Sequence, residues 1–209
     1  NNKKLFSMIL YGKPGIGKTS IATAIVSELK LRYRLLNAVI NNKKDFDVVV
    51  EEAKMYNGLV VIMDEIHRLN KDKQDLLLPY LENGLITLIG LTSSNPYHKI
   101  NPAIRSRCQI FELLPLELDD IIKGLKKACD KLPNIKANKD VLKIIATISN
   151  GDYRFAINLL EMAYYSSKDK VITKELLNEI NVKASSSMDE DETGHYDVLS
   201  AFQKSIRGS

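Results

Sequence analysis

Residues 5–20 read LFSMILYGKPGIGKTS, and this stretch decides the fold class of the chain. Within it, GKPGIGKT at residues 12–19 matches the phosphate-loop pattern G-x-x-x-x-G-K-[ST] at every fixed position. The apolar run at residues 8–11 is typical of a buried strand, and a helical pattern follows the loop. A strand, a glycine loop and a helix in this order predict a site for the phosphates of a nucleotide.

The residue types in this loop suit the binding of a triphosphate. Backbone N–H groups must approach the phosphates closely, and glycine allows the tight curl without a side chain in the way. The helix that begins near Lys18 directs its positive end and its free N–H groups at the phosphates. Lys18 is placed to reach the β- and γ-phosphates, while the hydroxyl of Thr19 can coordinate Mg²⁺. The predicted nucleotide-binding residues are Gly12, Lys13, Pro14, Gly15, Ile16, Gly17, Lys18, Thr19 and Ser20.

Composition and charge restrict the class of protein. The 209 residues suffice for one large or two modest domains. The net charge of +4 is compatible with nucleic-acid binding but does not indicate it, because no dense basic cluster interleaved with aromatic residues occurs. No apolar run approaches the roughly 20 residues of a membrane span, and no signal-peptide pattern is present, so we expect a cytoplasmic protein without a membrane partner. Cys108 and Cys129 lack metal-ligand spacing and predict buried or half-buried thiols in a reducing compartment.

A second predicted strand supplies candidate catalytic carboxylates. The run LVVIM at residues 59–63 is bounded by turn residues and typical of a fully buried parallel strand. It ends in Asp64 and Glu65. In enzymes with a phosphate loop, a carboxylate at this position holds Mg²⁺, and a second one can orient the water that attacks the γ-phosphate. The sequence therefore predicts Asp64 as the metal carboxylate and Glu65 as the base.

Polar side chains follow the next strand, which is predicted at residues 85–91. An amide at the end of a strand beside the catalytic strand can hydrogen-bond both the γ-phosphate and the attacking water. Taken alone, Asn95-Pro96 indicates only a turn. In the context of the loop and the carboxylates, we predict that Asn95 senses the γ-phosphate.

Strand and helix patterns alternate as far as residue 115. Further strands are predicted at residues 35–40 and 109–113, and helices at residues 19–33, 45–55, 71–83 and 101–106, with Asn70 as a cap. This order predicts an α/β fold with an open, parallel, five-stranded sheet, helices on both faces, and ligand at the carboxyl ends of the strands.

Beyond Pro115 the pattern indicates helices only. The apolar spacing predicts helices at residues 118–132, 139–149, 153–166 and 173–180, and Asp152 is placed to cap the helix that carries Arg154. A small, polar and acidic segment then predicts a linker, and an apolar helical stripe follows it. We expect an α/β nucleotide-binding domain at residues 1–115, a helical lid at 116–183, a linker at 184–194, and the start of a truncated C-terminal oligomerisation domain at 195–209. Because the chain starts on Asn1, close to the first strand, we also expect that an upstream segment is missing.

Together these motifs resemble the AAA+ ATPases of the clamp-loader group and, within it, the replication-associated recombination protein A family. The resemblance covers nearly the whole chain. It is carried by MDEIHRLNK at residues 63–71, ITLIG at 86–90, Asn95-Pro96, Ser106-Arg107-Cys108 and GDYR at 151–154. The stretch from His195-Tyr196-Asp197 to Gly208-Ser209 resembles this family rather than clamp loaders in general.

The resemblance implies a role for each matching residue. Lys18 and Thr19 would bind ATP and Mg²⁺, and Asp64 would hold the metal. Glu65 would orient the attacking water, and Asn95 would be the first sensor.

Two arginines complete the set of catalytic residues that the resemblance implies. Arg107 resembles the arginine finger that enters the active site of the neighbouring subunit, and Arg154 resembles the second sensor, which reaches from the lid to the nucleotide. A guanidinium suits both roles because it stays charged and can grip phosphate oxygens with two donors. Arg105 is the alternative finger, although the Ser-Arg-Cys motif favours Arg107.

The three histidines, His67, His98 and His195, suggest no catalytic arrangement. The sequence DEIH at residues 64–67 also resembles a helicase motif. Such a helicase requires a second RecA-like domain, which the helical segment cannot supply.

The resemblance implies an ATP-hydrolysing protein that acts on single-stranded or forked DNA in replication-fork maintenance, recombination and repair. It further implies a homo-oligomer at full length, replication partners such as the single-strand binding protein, and a bacterial, nucleoid-associated location. Three alternatives stay open: a nucleotide-dependent adaptor with slow regulatory hydrolysis, a clamp-loader subunit, and a junction branch-migration motor. With its oligomerisation domain cut short, the chain by itself is expected to be a weak ATPase and monomeric.

Overall fold

The computed structural model describes residues 5–186, with the surroundings of every side chain in that range except those of residues 71 and 181–186. The described chain forms two compact units that divide between Pro115 and Leu116. Each unit has a hydrophobic core of its own.

The first unit is built on a parallel sheet of five strands. Their bounds are β1 Met8–Tyr11, β2 Tyr33–Asn37, β3 Leu59–Asp64, β4 Ile86–Thr92 and β5 Gln109–Glu112. The strand order is β2-β3-β4-β1-β5, and every neighbouring pair is parallel. The predicted five-stranded parallel sheet is therefore confirmed. Because β1 and β3 flank β4, the carboxyl ends of these three strands meet at the middle of one sheet edge.

Helices connect the strands of this unit. They are α1 Lys18–Glu28, α2 Lys43–Met55, α3 Lys71–Glu82, α4 Pro96–Lys99 and α5 Pro102–Arg105, with a 3-10 turn at Ile66–Arg68. Asn70 caps α3, since its side chain accepts the N–H of Lys73, which confirms that prediction. The four-residue helix α4 was not predicted; it begins at Pro96, which suits the first position of a helix.

Strand β3 shows why the sheet core is formed on both faces. Leu59, Val61 and Met63 pack into one apolar cluster, whereas Val60 and Ile62 pack into the other. Successive side chains of a strand point to opposite faces, so both faces of β3 are covered. An uninterrupted apolar run is the pattern that such a doubly covered parallel strand requires.

Within residues 116–186, the second unit has four helices around one core. They are α6 Leu118–Cys129, α7 Lys139–Ser149, α8 Tyr153–Ser166 and α9 Lys174–Ser186. The bounds of α7 and α8 are those predicted, and Asp152 caps α8 by accepting the N–H of Phe155 at 2.8 Å. A short parallel pair, β6 Lys136–Ala137 and β7 Val171–Ile172, joins the loops before α7 and α9. The helical periodicity had not predicted this pair.

Helices α6 and α8 approach closely at Gly124. A Cβ atom at this position would lie 2.4 to 2.7 Å from two ring carbons and the hydroxyl oxygen of Tyr153, the first residue of α8. The ring of Tyr153 thus occupies the space that a larger residue at 124 would fill.

Several predicted boundaries were wrong. Helix α9 continues to Ser186, so the linker cannot begin at residue 184; its remainder and the predicted domain at residues 195–209 lie outside the described residues. Strand β2 begins at Tyr33 and ends at Asn37, because it pairs with β3 over this range. The apolar Val39 and Ile40, which the sequence pattern places in that strand, follow it and are exposed.

Within residues 5–186, no helix is long and apolar enough to cross a membrane. Both cysteines are free and half-buried, as predicted. Burial raises the pKa of the Cys108 thiol to about 12, which keeps it protonated at neutral pH.

Candidate active site

The candidate site lies where the carboxyl ends of β1, β3 and β4 meet. Tyr11, the last residue of β1, is in register with Thr92, the last residue of β4. On the other side of β4, Met63 of β3 is in register with Gly90. The sheet therefore brings together the phosphate loop after β1, the carboxylates at the end of β3 and the polar segment after β4, as ligand sites in open α/β sheets require.

The phosphate loop begins at a position that only glycine can occupy. Gly12 has φ +154°, and a Cβ atom there would lie 2.4 Å from the carbonyl oxygen of Leu113. Its N–H donates to the carbonyl of Thr92 at 3.2 Å, which fastens the start of the loop to the end of β4. Gly17, with φ +92°, forms the left-handed cap from which α1 starts.

Lys18 and Thr19 are the first two residues of α1, and both are half-buried. The ammonium of Lys18 donates to the carbonyls of Gly12 and Lys13, each at 2.8 Å. The lysine side chain therefore folds back over the loop. A positive charge is held in this way at the helix N-terminus, where the phosphates of a nucleotide would bind.

Asp64 and Glu65 stand at a sharp turn of the backbone. Asp64 ends β3, and its Oδ1 accepts the N–H of Glu65 at 3.0 Å. Glu65 has φ 52° and ψ 40°, a left-handed conformation that is uncommon for a residue with a side chain. Such conformations cluster at functional sites, where the surrounding structure holds them.

The carboxylate of Glu65 contacts a histidine for which the sequence had suggested no role. Its Oε2 lies 3.2 Å from Nδ1 of His67, and the same nitrogen lies 2.9 Å from Oγ1 of Thr92. Burial lowers the pKa of His67, and nearby Arg68 and Lys99 lower it further, while the charge of Glu65 opposes these effects. The imidazole is therefore neutral at pH 7. Its position depends on the turn at Glu65, which the sequence pattern does not reveal.

Asn95 precedes α4 and caps it. Its Oδ1 accepts the N–H of Tyr97 at 2.9 Å, and the residue is exposed. Because the side-chain oxygen is engaged in the cap, the amide NH₂ group is the part that can donate to a phosphate. The role of Asn95 as a sensor stays a prediction.

The two candidate finger arginines differ in their surroundings. Arg107 is exposed and donates to the carbonyl of Ala103 at 2.7 Å, and its other guanidinium nitrogen forms an ion pair with Glu82 at the end of α3. Arg105 is half-buried and donates to the carbonyl of Tyr97 at 2.6 Å, and its guanidinium carbon lies over the Tyr97 ring, 5.3 Å from the ring centre. The more exposed guanidinium belongs to Arg107, the residue that the Ser-Arg-Cys motif favours.

Arg154 belongs to the second unit, where it is the exposed second residue of α8. The Asp152 cap fixes the start of this helix and therefore places Arg154 in its first turn. Its role as second sensor stays a prediction.

The metal site implied for such a nucleotide has few protein ligands. Within the described part of the chain, no group of three or more His, Cys, Asp or Glu residues could hold a metal ion. Mg²⁺ at a nucleotide typically uses one or two protein oxygens and takes the rest of its ligands from phosphates and water. The hydroxyl of Thr19 and the carboxylate of Asp64 fit that donor set.

Two family models match the chain. The model described as the ATPase family associated with various cellular activities (AAA) matches residues 8–116, more than half of the chain. The model described as the AAA C-terminal domain matches residues 130–207. Residues 8–116 are thereby identified as a nucleotide-binding domain.

Named proteins with similar sequences support the same family assignment. The replication-associated recombination protein A of Bacillus subtilis (strain 168) is 53% identical, over 99% of this chain and 52% of that protein. The protein of the same name from Escherichia coli (strain K12) is 35% identical, over 98% of this chain and 49% of its own. The chain thus spans about half the length of these curated relatives.

A solved structure shares the fold. The Thermotoga maritima RuvB Holliday junction branch migration motor superposes with a TM-score of 0.73 and 27% identity, over 85% of this chain and 62% of that chain. The chain belongs to the AAA family of ATPases and, within it, to the replication-associated recombination protein A family, as its sequence motifs predict.

Proposed function

We propose that the protein hydrolyses ATP and that it uses hydrolysis to act on DNA in replication-fork maintenance, recombination and repair. The observation that carries the proposal is the meeting of the phosphate loop with Asp64 and Glu65 at one edge of the sheet. The names of the relatives support the biological setting. Residues 1–115 would be the nucleotide-binding domain, and residues 116–183 the helical lid.

The phosphate loop and the carboxylates would have different roles in binding and hydrolysis. Backbone N–H groups of residues 12–19 and the ammonium of Lys18 would hold the phosphates, while Thr19 and Asp64 would hold Mg²⁺. When bound, Mg²⁺ neutralises charge on the phosphate oxygens. Glu65 would accept a proton from the attacking water, and the amide of Asn95 would orient that water against the γ-phosphate.

Arginines would complete the site. Arg107 would stabilise charge in the active site of a neighbouring subunit, and Arg154 would contact the nucleotide from the lid. This arrangement supports a homo-oligomer as the working form of the protein.

The partners belong to the same proposal. Single-stranded or forked DNA and a single-strand binding protein would be the ligands, at the bacterial nucleoid. The mild net charge of +4 gives these partners no independent support.

Residues 1–209 alone would turn ATP over slowly as a monomer, since the curated relatives are about twice as long. A stable oligomer in sedimentation, or rapid turnover by residues 1–209, would refute this last point.

The test is the substitution Glu65→Gln in the protein at its natural length. The amide is the same size as the carboxylate but cannot accept the proton, so we expect ATP turnover to fall by about 100-fold or more with ATP affinity retained. Turnover is measured by phosphate release and affinity by a fluorescent ATP analogue. Parental turnover in this variant would refute the proposed hydrolysis.

A second candidate function is a nucleotide-dependent adaptor, which the same site would serve. It predicts that Lys18→Ala impairs partner binding while Glu65→Gln leaves that binding intact. Turnover measured with and without single-stranded, forked and gapped DNA separates the two functions: stimulation by DNA supports a motor, and its absence supports the adaptor.

A further inference from the structure

We propose that His67 is a positioning residue for Glu65: its imidazole holds the carboxylate of the base and fixes it to the end of strand β4. The proposal rests on the proposed function, in which Glu65 is the base. It assigns to His67 a role in ATP turnover that is exerted through Glu65 rather than by contact with the nucleotide.

The contacts of His67 join two elements of the site. Nδ1 lies 3.2 Å from Oε2 of Glu65 and 2.9 Å from Oγ1 of Thr92. The imidazole is 13% exposed, whereas the Glu65 side chain is 35% exposed. The ring is therefore the fixed member of the pair, and the carboxylate is the member that could move without it.

The hydrogen-bond network specifies the tautomer of the ring. The hydroxyl oxygen of Thr92 accepts the N–H of Ser94 at 3.0 Å, and its O–H can donate to the carbonyl of Ser94 at 3.3 Å. With that proton used, the Thr92 oxygen can accept a bond from Nδ1–H of His67. The carboxylate of Glu65 requires a donor as well, since a bare ring nitrogen beside it would repel it. The Thr92 hydroxyl is compatible with a proton on Nδ1 and the Glu65 carboxylate requires one, so we assign the proton to Nδ1.

The same network reaches the phosphate loop. Thr92 is 1% exposed, and its carbonyl accepts the N–H of Gly12 at 3.2 Å. A continuous series of bonds therefore runs from Gly12 through Thr92 and His67 to Glu65. The base is in this way held relative to the loop that would carry the phosphates.

The left-handed backbone of Glu65 makes such a support necessary. At φ 52° the chain leaves the strand, and no other described hydrogen bond or ion pair anchors the Glu65 carboxylate. Small errors in the position of a catalytic group can cost a large part of its rate. Without the imidazole, Glu65 would sample positions in which it does not face the attacking water.

The experiment compares His67→Ala, His67→Asn and His98→Ala at natural length with MgATP as the substrate. Asn carries an amide donor near the place of Nδ1–H, and His98 is an exposed histidine of the same unit. We expect His67→Ala to lower kcat about tenfold, which is part of the roughly 100-fold or greater rate gain that a positioned base supplies. The ATP dissociation constant should change by less than about twofold. His67→Asn is expected to recover most of that loss, and His98→Ala to match the parent.

Two outcomes overturn the proposal. One is parental kcat in His67→Ala; the other is an equal loss of kcat in the Ala and Asn variants, since a donor at Nδ1 would then be irrelevant. If His67→Ala does not fold, Thr92→Val removes the hydroxyl at constant shape, and an unchanged kcat in that variant refutes the network. Glu65→Gln separates this proposal from the proposed function: a slow Glu65→Gln with a fast His67→Ala overturns the role of His67 alone, whereas a fast Glu65→Gln overturns both.

Discussion

Gly12 shows how tightly a single residue is specified at the start of the phosphate loop. Its positive φ disfavours any side chain, and the Leu113 carbonyl leaves no room for one. Gly58 also has a positive φ, of +139°, but a Cβ there would meet nothing within 4 Å. A comparison of the two glycines therefore distinguishes the cost of backbone strain from the cost of steric crowding.

We predict that Gly12→Ala destabilises the protein far more than Gly58→Ala does. Strain alone should lower the free energy of unfolding by about 1 kcal/mol at Gly58, and crowding should raise the loss to about 3 kcal/mol at Gly12. Urea denaturation measures both, and equal losses at the two positions would contradict the crowding argument. ATP binding should weaken in the Gly12 variant only.

The residues of the site differ in how far the sequence could predict them. The loop and Asp64-Glu65 follow from a fixed pattern after apolar runs, because local chain geometry places them. The bond of His67 to Thr92 and the ion pair of Arg107 with Glu82 each join residues 25 positions apart. Such pairs depend on tertiary packing, so no spacing in the sequence indicates them.

At the scale of elements, the length of a segment decides how well its pattern can be interpreted. Helices α7 and α8 run for 11 and 14 residues with clear apolar faces and caps, and their bounds were predicted. Helix α4 has four residues, and β6 and β7 have two each, which is too short for any periodicity. Their formation depends on contacts with neighbouring segments.

At the contact between α6 and α8, the effect of Gly124→Ala on the free energy of unfolding should change sign when the Tyr153 ring is removed. Alanine is favoured over glycine inside a helix by about 1 kcal/mol. At Gly124 the added methyl group would overlap the Tyr153 ring, which costs about 2 kcal/mol. We therefore expect Gly124→Ala to lower the free energy of unfolding by about 1 kcal/mol, and to raise it by about as much when Tyr153 is already Ala.

Urea denaturation of the two single variants and the double variant measures this coupling. Lys123→Ala, at an exposed position of the same helix, is the control and should change the free energy by less than about 0.5 kcal/mol. The same sign for Gly124→Ala in both backgrounds would contradict the assigned contact.

At the scale of the whole molecule, the proposed site is shared between subunits, and this can be tested by mixing. Glu65→Gln and Arg107→Ala proteins should each be nearly inactive. Mixed in equal amounts, they should recover roughly a quarter of the parental ATP turnover, because a quarter of randomly formed head-to-tail interfaces join an intact Glu65 to an intact Arg107.

The same mixture with Arg105→Ala in place of Arg107→Ala identifies the finger. Arg107 is supported as the finger if Arg105→Ala is active by itself and if mixing restores turnover only in the mixture that contains Arg107→Ala. A mixture no faster than the mean of its two components would mean that the arginine acts within its own subunit.

The ion pair between Arg107 and Glu82 bears on how a shared arginine could respond to a neighbour. Both groups are exposed, at 36% and 52%, and exposed ion pairs contribute only about 0–1 kcal/mol. If Arg107 serves a neighbouring subunit as proposed, its guanidinium must exchange this carboxylate for a phosphate. A γ-phosphate carries more charge than a carboxylate and would compete well, whereas a neighbour that holds ADP presents no such group. Glu82 would then set the threshold at which one subunit distinguishes ATP from ADP in the next.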